Sequence, residues 1–319
     1  MIKALAIVGP TASGKTALSL AVAERLGCKI ISCDSMQIYK EMDIGTAKAT
    51  VEEQARAEHF LIDFLDPRES FSVESYRKMA MDAAREIFAS GSIPLFVGGT
   101  GLYIDSVMRL ENVGAPESSE EYRAAQMEIA SMEGGEDVLW NRLREVDPDS
   151  AEKIHKNNVK RVIRALEIYD ATGKTKTWFD SQTKAPNPEL SVKMITLDFH
   201  NRDLLYDRVN RRVDIMMEEG LLSEVERLYR RDMLRPETTA AQAIGYKEIV
   251  DYLEGRCTLP EAVEMIKLSS RRYAKRQLTW FRHEQDAIKL FVDTEDGKMK
   301  SGDDLIAEAL DLVKETSEI

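Results

Sequence analysis

The sequence predicts an α/β fold, in which a doubly wound parallel sheet carries a helical insertion domain and a helix-rich C-terminal part. Three observations predict it. The continuous apolar run Ile2–Val8 is typical of a strand that is buried on both faces. Strand-like and helical segments then alternate along the chain, which is the pattern of a parallel sheet flanked by helices. Between about residues 113 and 188 helical periodicity replaces the strand pattern, which resumes at Val192.

Each element of the sheet layer has its own local signal. A helix is predicted at Thr16–Leu26, where Gly27 ends it, and a second one begins after Ser72 and ends near Gly91. Further strands are predicted at Lys29–Ser32, Phe60–Asp63, Ile93–Val97, Val192–Leu197 and Ala287–Val292. Later helices are predicted near 202–219, 221–232, 241–254 and 259–283, followed by an amphipathic tail helix.

The chain of 319 residues suits one large domain with an insertion. We expect a catalytic core at 1–112, a helical insertion at 113–190, and completion of the core with C-terminal helices at 191–319. Turn-rich stretches at Gly114-Ala115-Pro116 and Ala185-Pro186-Asn187-Pro188 mark the edges of the insertion.

The composition excludes several classes of protein. No apolar run approaches the length of a membrane span, and the N-terminal run is too short for a signal peptide. Cys28, Cys33 and Cys257 form neither a disulfide framework nor a zinc spacing, so reduced thiols in a cytoplasmic protein are expected. Nothing in the sequence indicates an obligate protein partner.

The net charge of −12 argues against a uniformly basic nucleic-acid binder, but the charges are unevenly distributed. Two stretches without acidic residues, 153–166 and 266–283, contain five and six basic residues. Such stretches are compatible with a local surface for a polyanion. Two solvated helix faces would give the same pattern.

A glycine-rich turn after the first strand carries the clearest chemical signal. Residues 9–16 are GPTASGKT, which fits the P-loop pattern, with a strand before it and a helix after it. Its glycines let backbone N–H groups point at an anion, Lys15 supplies a positive charge, and the Thr16 hydroxyl can ligate Mg²⁺. The motif predicts a phosphate site without naming the phosphate.

Two other predicted strands end at the same edge of the sheet, because parallel strands aim their carboxyl ends at one crevice. Asp34 stands at one of these ends, where it can support a metal, act as a general base, or simply form an Asx turn. Gly98-Gly99-Thr100-Gly101 follows the other strand. Its glycines permit close approach of a ligand or of a neighbouring backbone, and a tight strand-to-helix turn is an equal alternative.

Together these motifs resemble those of tRNA dimethylallyltransferases, also called tRNA isopentenyltransferases. The similarity runs in order through residues 2–282. It rests on GPTASGKT at 9–16, DSMQIY at 34–39, MDIGTAK at 42–48, GGTGLY at 98–103, RVIRALE at 161–167, DRV at 207–209, MEEGL at 217–221, QAIGYK at 242–247 and AKRQLTWFR at 274–282. The resemblance implies that the P-loop holds the diphosphate of dimethylallyl diphosphate, with Mg²⁺ and without consumption of ATP. The implied acceptor is N6 of the adenosine 3′ of the anticodon, in a tRNA anticodon stem-loop.

The resemblance also implies roles for individual residues. Asp34 is expected to accept the N6 proton, Thr100 to lie beside the extruded base, and Arg208 to stabilise the departing pyrophosphate. The expected diphosphate-binding residues are Gly9, Pro10, Thr11, Ala12, Ser13, Gly14, Lys15 and Thr16, of which Thr16 also holds the metal. The expected tRNA contacts are Asp34, Ser35, Met36, Gln37, Thr100, Arg123, Lys160, Arg161, Val162, Ile163, Arg164, Gln242, Ala243, Ile244, Gly245, Tyr246, Lys247, Lys275, Arg276, Gln277, Leu278, Thr279, Trp280, Phe281 and Arg282. Tyr246, Trp280 and Phe281 are candidates for stacking on RNA bases, although a Trp-Phe pair on a helix is more often part of a core.

Other functions share some of these features. A small-molecule kinase would use the P-loop and the parallel sheet, but it gives no reason for the basic stretch 266–283. A non-catalytic RNA-binding protein gives no reason for the P-loop. An adenylate isopentenyltransferase would perform the same chemistry on a free nucleotide, and the basic C-terminal helices favour the polymeric acceptor.

Overall fold

The computed structural model describes residues 1–109, 119–182, 185–284 and 286–314. The chain forms two compact units, one made of Met1–Val107 with Pro188–Ile319 and the other of Met108–Asn187. The predicted boundary between residues 112 and 113 and the predicted turn at 114–116 lie outside the described residues.

The elements alternate between strands and helices on both sides of the insertion. Before residue 109 the chain forms β1 (Ile2–Val8), α1 (Lys15–Leu26), β2 (Cys28–Cys33), α2 (Val51–Arg56), β3 (His59–Phe60), α3 (Val73–Ala89), β4 (Ile93–Gly98) and α4 (Gly101–Met108). The second unit contains α5 (Glu120–Ser131), α6 (Gly135–Val146), α7 (Pro148–Lys153), α8 (Val159–Thr172) and α9 (Lys176–Gln182). The first unit then resumes with β5 (Leu190–Asp198), α10 (Arg202–Glu218), α11 (Leu221–Arg230), a 3₁₀ turn (Ala240–Gln242), α12 (Tyr246–Leu253), α13 (Leu259–Arg282), β6 (Ile288–Phe291) and α14 (Gly302–Lys314).

The strands form a six-stranded sheet in the order β3-β2-β4-β1-β5-β6, and every neighbouring pair is parallel. The predicted parallel α/β fold is therefore confirmed. The register pairs Val8 with Gly98 and Gly98 with Cys33, so that β1, β4 and β2 end in one row. The loops that follow these three strands leave the same edge of the sheet.

Two element predictions are wrong in their boundaries. The strand predicted at Phe60–Asp63 ends at Phe60, because Leu61 and Asp63 have left-handed φ values of 58° and 56° that no strand accommodates. The helix predicted near 241–254 begins only at Tyr246. Gly245, with a φ of 96°, separates it from the preceding 3₁₀ turn.

Two of the apolar clusters among the described residues of the first unit support the site. One lies between the sheet and α1, α10, α13 and α14, and its members include Leu5, Leu20, Leu95, Ile195, Leu205, Leu278 and Val313. The other fixes the loop after β2 against α11, α12 and α13 through Ile38, Tyr39, Met42, Leu221, Val225, Tyr246, Ile249 and Ile266. The second unit has a core of its own, which includes Leu139, Leu143, Val162, Ile163 and Leu166.

A buried ion pair fastens the end of α13 to the end of β5. The Asp198 side chain is 3% exposed, and its two carboxylate oxygens accept hydrogen bonds from Nε and Nη2 of Arg282 at 2.6–3.1 Å. Arg282 also donates to the Phe199 carbonyl at 3.0 Å. Because Asp198 has so little access to water, its charge depends on this partner.

We expect Arg282→Ala to lower the free energy of unfolding by about 3 kcal/mol, because it leaves a buried carboxylate unpaired. Arg85→Ala is the matched control, since Arg85 forms its ion pairs with Asp82 and Glu189 at the surface and should lose less than about 1 kcal/mol. Urea unfolding of both variants measures the difference. Equal losses of unfolding free energy in the two variants would show that the buried Arg282–Asp198 pair stabilises the fold no more than a surface ion pair does.

Candidate active site

A cavity of about 880 Å³ opens at the carboxyl edge of the sheet in the first unit. The P-loop, the loop after β2, α10, α13 and the segment before α12 all contribute to its wall. Among the described residues its lining is strongly basic. The charged side chains on the wall are Lys15, Arg208, Arg211, Arg212, Lys247, Arg272 and Arg276 against Asp34 and Glu53. In a chain of net charge −12, this concentration of cations indicates a site for an anion.

The P-loop wraps around the N-terminus of α1. Gly9 and Gly14 have φ values of 148° and 96°, which L side chains rarely adopt, and a Cβ on Gly9 would lie 2.9 Å from the Leu197 carbonyl oxygen. Residues 11–16 line the cavity. The N-terminus of α1 therefore borders the cavity, and the positive end of a helix at that place is what a phosphate cradle requires.

Lys15 lies inside this cradle. Its Nζ donates hydrogen bonds to the carbonyl oxygens of Gly9 and Pro10 at 3.0 and 2.6 Å. Burial, together with the positive charge of Arg212, lowers the pKa of Lys15 to about 7, although the Asp34 carboxylate opposes the shift. In the free protein the Lys15 ammonium group therefore loses its proton unusually easily. An anion bound beside it would raise its pKa again and keep it positively charged.

Asp34 and Thr100 stand on neighbouring loops. One carboxylate oxygen of Asp34, Oδ1, accepts the Met36 N–H at 2.9 Å and so forms an Asx turn. Asp34 also lines the cavity, and Oδ2 has no hydrogen-bond partner among the described residues. Thr100 is not among the residues of the cavity wall. Its Oγ1 accepts the N–H of Ser35, the residue after Asp34, at 3.1 Å. The Asx turn is thus real, and it leaves one carboxylate oxygen for chemistry.

The glycines of the Gly98–Gly101 loop serve contacts within the protein. A Cβ on Gly98 would lie 2.2 Å from the Cys33 carbonyl oxygen, and one on Gly99 would lie 2.2 Å from Nε2 of Gln277. A Cβ on Gly101 would lie 2.5 Å from Nε1 of Trp280. A neighbouring backbone therefore accounts for Gly98, as one of the open explanations had it, whereas Gly99 and Gly101 make room chiefly for side chains of α13.

Arg208 and Arg212 reach the cradle from one face of α10, since they are four residues apart. Arg208 Nε donates to the Ala12 carbonyl at 2.7 Å, and a Cβ on Gly14 would lie 3.9 Å from its Nη2. Arg212 Nε and Ser13 Oγ are buried and have no hydrogen-bond partner among the described residues. Both residues line the cavity. Orphaned buried polar groups are rare, and here they mark where an anionic ligand fits.

Arg212 and Tyr273 were missed by the sequence analysis. Arg212 is four residues after Arg208, so its signal was the helical spacing. Tyr273 lines the cavity from α13, one turn before Gln277. Burial and the nearby Asp34 carboxylate raise the pKa of Tyr273 to about 12, so the phenol stays protonated and can donate a hydrogen bond.

A buried carboxylate from α11 holds the loop at residues 43–47, of which Gly45, Thr46 and Ala47 line the cavity. The Glu224 side chain accepts the N–H groups of Asp43, Ile44 and Gly45 at 3.1, 2.9 and 3.2 Å. It also accepts the Tyr246 hydroxyl at 2.5 Å. Gly45 has no room for a Cβ, which would lie 2.4 Å from the Tyr246 ring. The string MDIGTAK thus shapes the wall rather than supplying a reactive group.

Burial corrects several of the predicted tRNA contacts in the first unit. Tyr246 and Phe281 are 0% and 1% exposed, so neither ring offers a face for a base to stack on. Ala243 and Leu278 are also buried, Gln277 is bound to two backbone groups, and Arg282 is committed to Asp198. The exposed members of these two segments are Gln242, Lys247, Lys275, Arg276, Thr279 and Trp280.

The predicted contacts at 123 and 160–164 belong to the second unit. Val162 and Ile163 are 1% and 2% exposed and form part of its core, so their side chains cannot meet RNA. Arg123 and Arg164 pair with the buried Glu167 at 3.2 and 2.6 Å. Lys160 and Arg161 are exposed, with no ion pair among the described residues.

A metal at this site would depend on few protein ligands. The described residues contain no group of three or more histidine, cysteine, aspartate or glutamate side chains suited to an ion. Thr16 and Asp34 line the cavity together. This donor set fits Mg²⁺, which keeps several waters and is usually bound by one or two protein groups plus phosphate oxygens.

Comparison with known proteins yields consistent matches. The family model described as IPP transferase matches residues 37–284, and that described as isopentenyl transferase matches residues 2–68. A tRNA dimethylallyltransferase of Bacillus cereus (strain AH187) is 48% identical over 300 residues, covering 94% of this chain and 92% of that protein. One from Thermoanaerobacter sp. (strain X514) is 46% identical over 291 residues, covering 91% of each chain.

The chain belongs to the IPP transferase family. The resemblance stated from the motifs is thereby confirmed.

Solved structures of IPP transferases agree with this membership. The full-length tRNA isopentenylpyrophosphate transferase of Bacillus halodurans is 43% identical, with a TM-score of 0.69 and coverage of 99% of this chain and 98% of that one. A eukaryotic dimethylallyltransferase, described as acting on tRNA, is 28% identical with a TM-score of 0.81, covering 99% of this chain and 80% of its own. None of the described helices of this IPP transferase combines the length and apolar composition needed to span a membrane.

The depressed pKa of Lys15 predicts that pyrophosphate binding takes up a proton. An anion in the cradle raises the Lys15 pKa, so the proton is already present below about pH 7 and must be taken from solvent above it. Calorimetry in buffers of different ionisation enthalpy should show the wild type taking up nearly one proton more than Lys15→Met at about pH 8, and little more at about pH 6. The same difference in proton uptake between the wild type and Lys15→Met at both pH values would contradict this prediction.

Proposed function

We propose that this protein transfers a dimethylallyl group from dimethylallyl diphosphate to N6 of the adenosine 3′ of the anticodon in tRNA, and releases pyrophosphate. Family membership over most of the chain supports the proposal, as do relatives named tRNA dimethylallyltransferase at 46–48% identity. The observation that carries it is the cavity, where the P-loop cradle with Lys15, the cations Arg208 and Arg212, and an Asp34 oxygen without a partner among the described residues line one wall. A cytoplasmic location would place the enzyme with its tRNA substrate.

The cations act on the leaving group. The carbon–oxygen bond of an allylic diphosphate can break largely before attack, because the allyl cation is stabilised, so negative charge develops on the departing pyrophosphate. Lys15, Arg208 and Arg212, together with the P-loop amides, face that charge. Groups held in place before the reaction stabilise such charge strongly. The unpartnered Arg212 Nε and Ser13 Oγ would then gain partners in the bound state.

Asp34 suits the proton transfer. The adenine amine becomes cationic as it attacks the allylic carbon, and it must then lose one proton. Oδ1 of Asp34 is held by the Met36 N–H, which fixes the carboxylate while Oδ2 stays available. Thr100 supports the same turn through Ser35, so its contribution is to positioning. Thr16 would hold Mg²⁺, which would supply further positive charge for the diphosphate.

The RNA would meet the exposed side of α13. We name Arg272, Lys275, Arg276 and Thr279 the outer face of α13; all four are exposed. No carboxylate among the described residues pairs with its three cations. Trp280, 42% exposed, adds an aromatic surface beside them. Cations for phosphates and an aromatic side chain for an unstacked base are the groups with which loop RNA is recognised.

The deciding experiment is incubation with labelled dimethylallyl diphosphate, Mg²⁺ and unmodified tRNA, with AMP and an ATP-dependent kinase assay run in parallel. The proposal expects label in tRNA, none in AMP, and no requirement for ATP. Label in AMP alone would identify a free-nucleotide prenyltransferase. A strict requirement for ATP would identify a kinase and overturn the diphosphate assignment.

Asp34→Asn should lower kcat by about 10²–10⁴-fold, the usual worth of a general base. Asn retains a carbonyl oxygen for the Met36 N–H, so the turn should persist while the basic oxygen is lost. Rapid-quench turnover should therefore fall, with affinities for pyrophosphate and tRNA within a few-fold. Collapse of Mg²⁺-dependent pyrophosphate binding would instead assign Asp34 to the metal.

Neutralising Lys275 and Arg276 to Gln should weaken tRNA binding. The slope of log K against log salt should fall by roughly one for each phosphate that the variant no longer neutralises. Lys275→Gln alone, outside the cavity wall, should leave pyrophosphate affinity nearly unchanged, whereas Arg276→Gln removes a cation of that wall and should weaken pyrophosphate binding as well. Lys78→Gln with Lys298→Gln is the matched control, since both lysines are exposed and outside the cavity wall. An equal change in slope for the control would argue against a localised RNA surface.

A further inference from the structure

α13 presents an exposed basic face and a buried face, and Arg272 and Arg276 of the exposed face also reach the cavity wall. Its outer face is basic and exposed, whereas Tyr273, Gln277 and Phe281, spaced four residues apart, lie along the inner face. Gln277 is 6% exposed and reaches the loops at the carboxyl edge of the sheet. One helix therefore carries both the proposed RNA surface and a side chain buried among the loops of the active site.

The Gln277 amide bridges two of those loops. Its Oε1 accepts the Thr11 N–H of the P-loop at 2.8 Å, and its Nε2 donates to the Gly99 carbonyl at 2.8 Å. A backbone N–H can only donate and a carbonyl can only accept, so these partners fix the orientation of the amide. Neither a carboxylate nor an apolar side chain of the same shape can satisfy both.

The neighbouring backbone is built around this bridge. A Cβ on Gly99 would lie 2.2 Å from Gln277 Nε2 and 3.1 Å from the Gly9 carbonyl oxygen. The P-loop and the Gly98–Gly101 loop therefore meet at Gln277. One residue further along, Thr100 supports the turn that presents Asp34. A displacement of α13 would therefore move both the diphosphate cradle and the turn that presents Asp34.

We propose that Gln277 is a positioning residue that couples RNA binding on the outer face of α13 to the diphosphate cradle. This inference rests on the proposed function. RNA that fixes α13 also fixes Thr11 and Gly99 through the Gln277 amide. Pyrophosphate then binds to a cradle that is already ordered, and the entropic cost of ordering it no longer opposes binding. By linkage, pyrophosphate then tightens RNA binding by the same factor.

The coupling is measured with inorganic pyrophosphate, Mg²⁺ and an unmodified anticodon stem-loop, without turnover. In the wild type, saturating pyrophosphate should lower the stem-loop Kd by about fivefold or more. In Gln277→Met this factor should fall to about one, while the stem-loop Kd without pyrophosphate stays within about threefold because only 6% of Gln277 is exposed. kcat should fall by up to about 10²-fold, as expected for misplaced reacting groups.

Two further variants keep the test decisive. Gln277→Glu retains the acceptor for Thr11 and loses donation to Gly99, so its coupling factor should be intermediate. Gln54→Met is the matched control, because Gln54 also donates from its amide to a backbone carbonyl, that of Ala49, but lies outside the cavity wall; it should keep the wild-type factor. Thermal melting of each variant verifies that it is folded.

Three results would overturn the inference. The first is a wild-type coupling factor of one, and the second is an unchanged coupling factor in Gln277→Met. The third is a loss of stem-loop affinity in Gln277→Met that is as large without pyrophosphate as with it, which would make Gln277 a direct RNA contact. Failure of the proposed function is seen separately, as an absence of labelled tRNA in the wild-type turnover assay.

Discussion

The site depends on the register of three parallel strands. Val8, Gly98 and Cys33 lie side by side in the sheet, and the next residue of each strand begins a loop of the site. One loop is the phosphate cradle, the second presents Asp34, and the third supports Asp34 through Thr100. Gly98 is where this alignment is tightest, since a Cβ there would lie 2.2 Å from the Cys33 carbonyl oxygen. Backbone pairing, rather than any contact between reactive groups, thus brings the chemistry to one edge.

Onto that edge the helices bring positive charge at a cost to the free protein. Lys15 loses basicity through burial and through Arg212, and Arg212 Nε has no partner among the described residues. Such groups are unfavourable without a ligand, and an anion removes the penalty. The unfavourable electrostatics of the free cavity are therefore the counterpart of the diphosphate affinity that we propose for it.

The parts of the fold with local signals were predictable from sequence. The first strand, the P-loop and the strand end at Asp34 follow from hydrophobic runs and glycine spacing within a few residues. Arg212, Tyr273 and the bridging role of Gln277 did not follow, since they depend on helices about 200 residues or more away in the chain and on how those helices pack. The stacking roles of Tyr246 and Phe281 were wrong for a related reason: similarity over a segment does not show which side chains of a helix face inward.

Glycines within the matched strings illustrate the same limit at atomic scale. For Gly99 and Gly101 the sequence left open a ligand, a neighbouring backbone or a tight turn. The atoms nearest to a Cβ at these positions belong to the Gln277 and Trp280 side chains of α13. A Cβ at Gly45 is excluded in the same way, by the Tyr246 ring of α12. Strings far apart in sequence are therefore paired in space, a small residue in one against a large side chain in another. The motifs define a site because they pack against each other. Through these packing contacts, an effect of RNA binding at α13 can be transmitted to the P-loop.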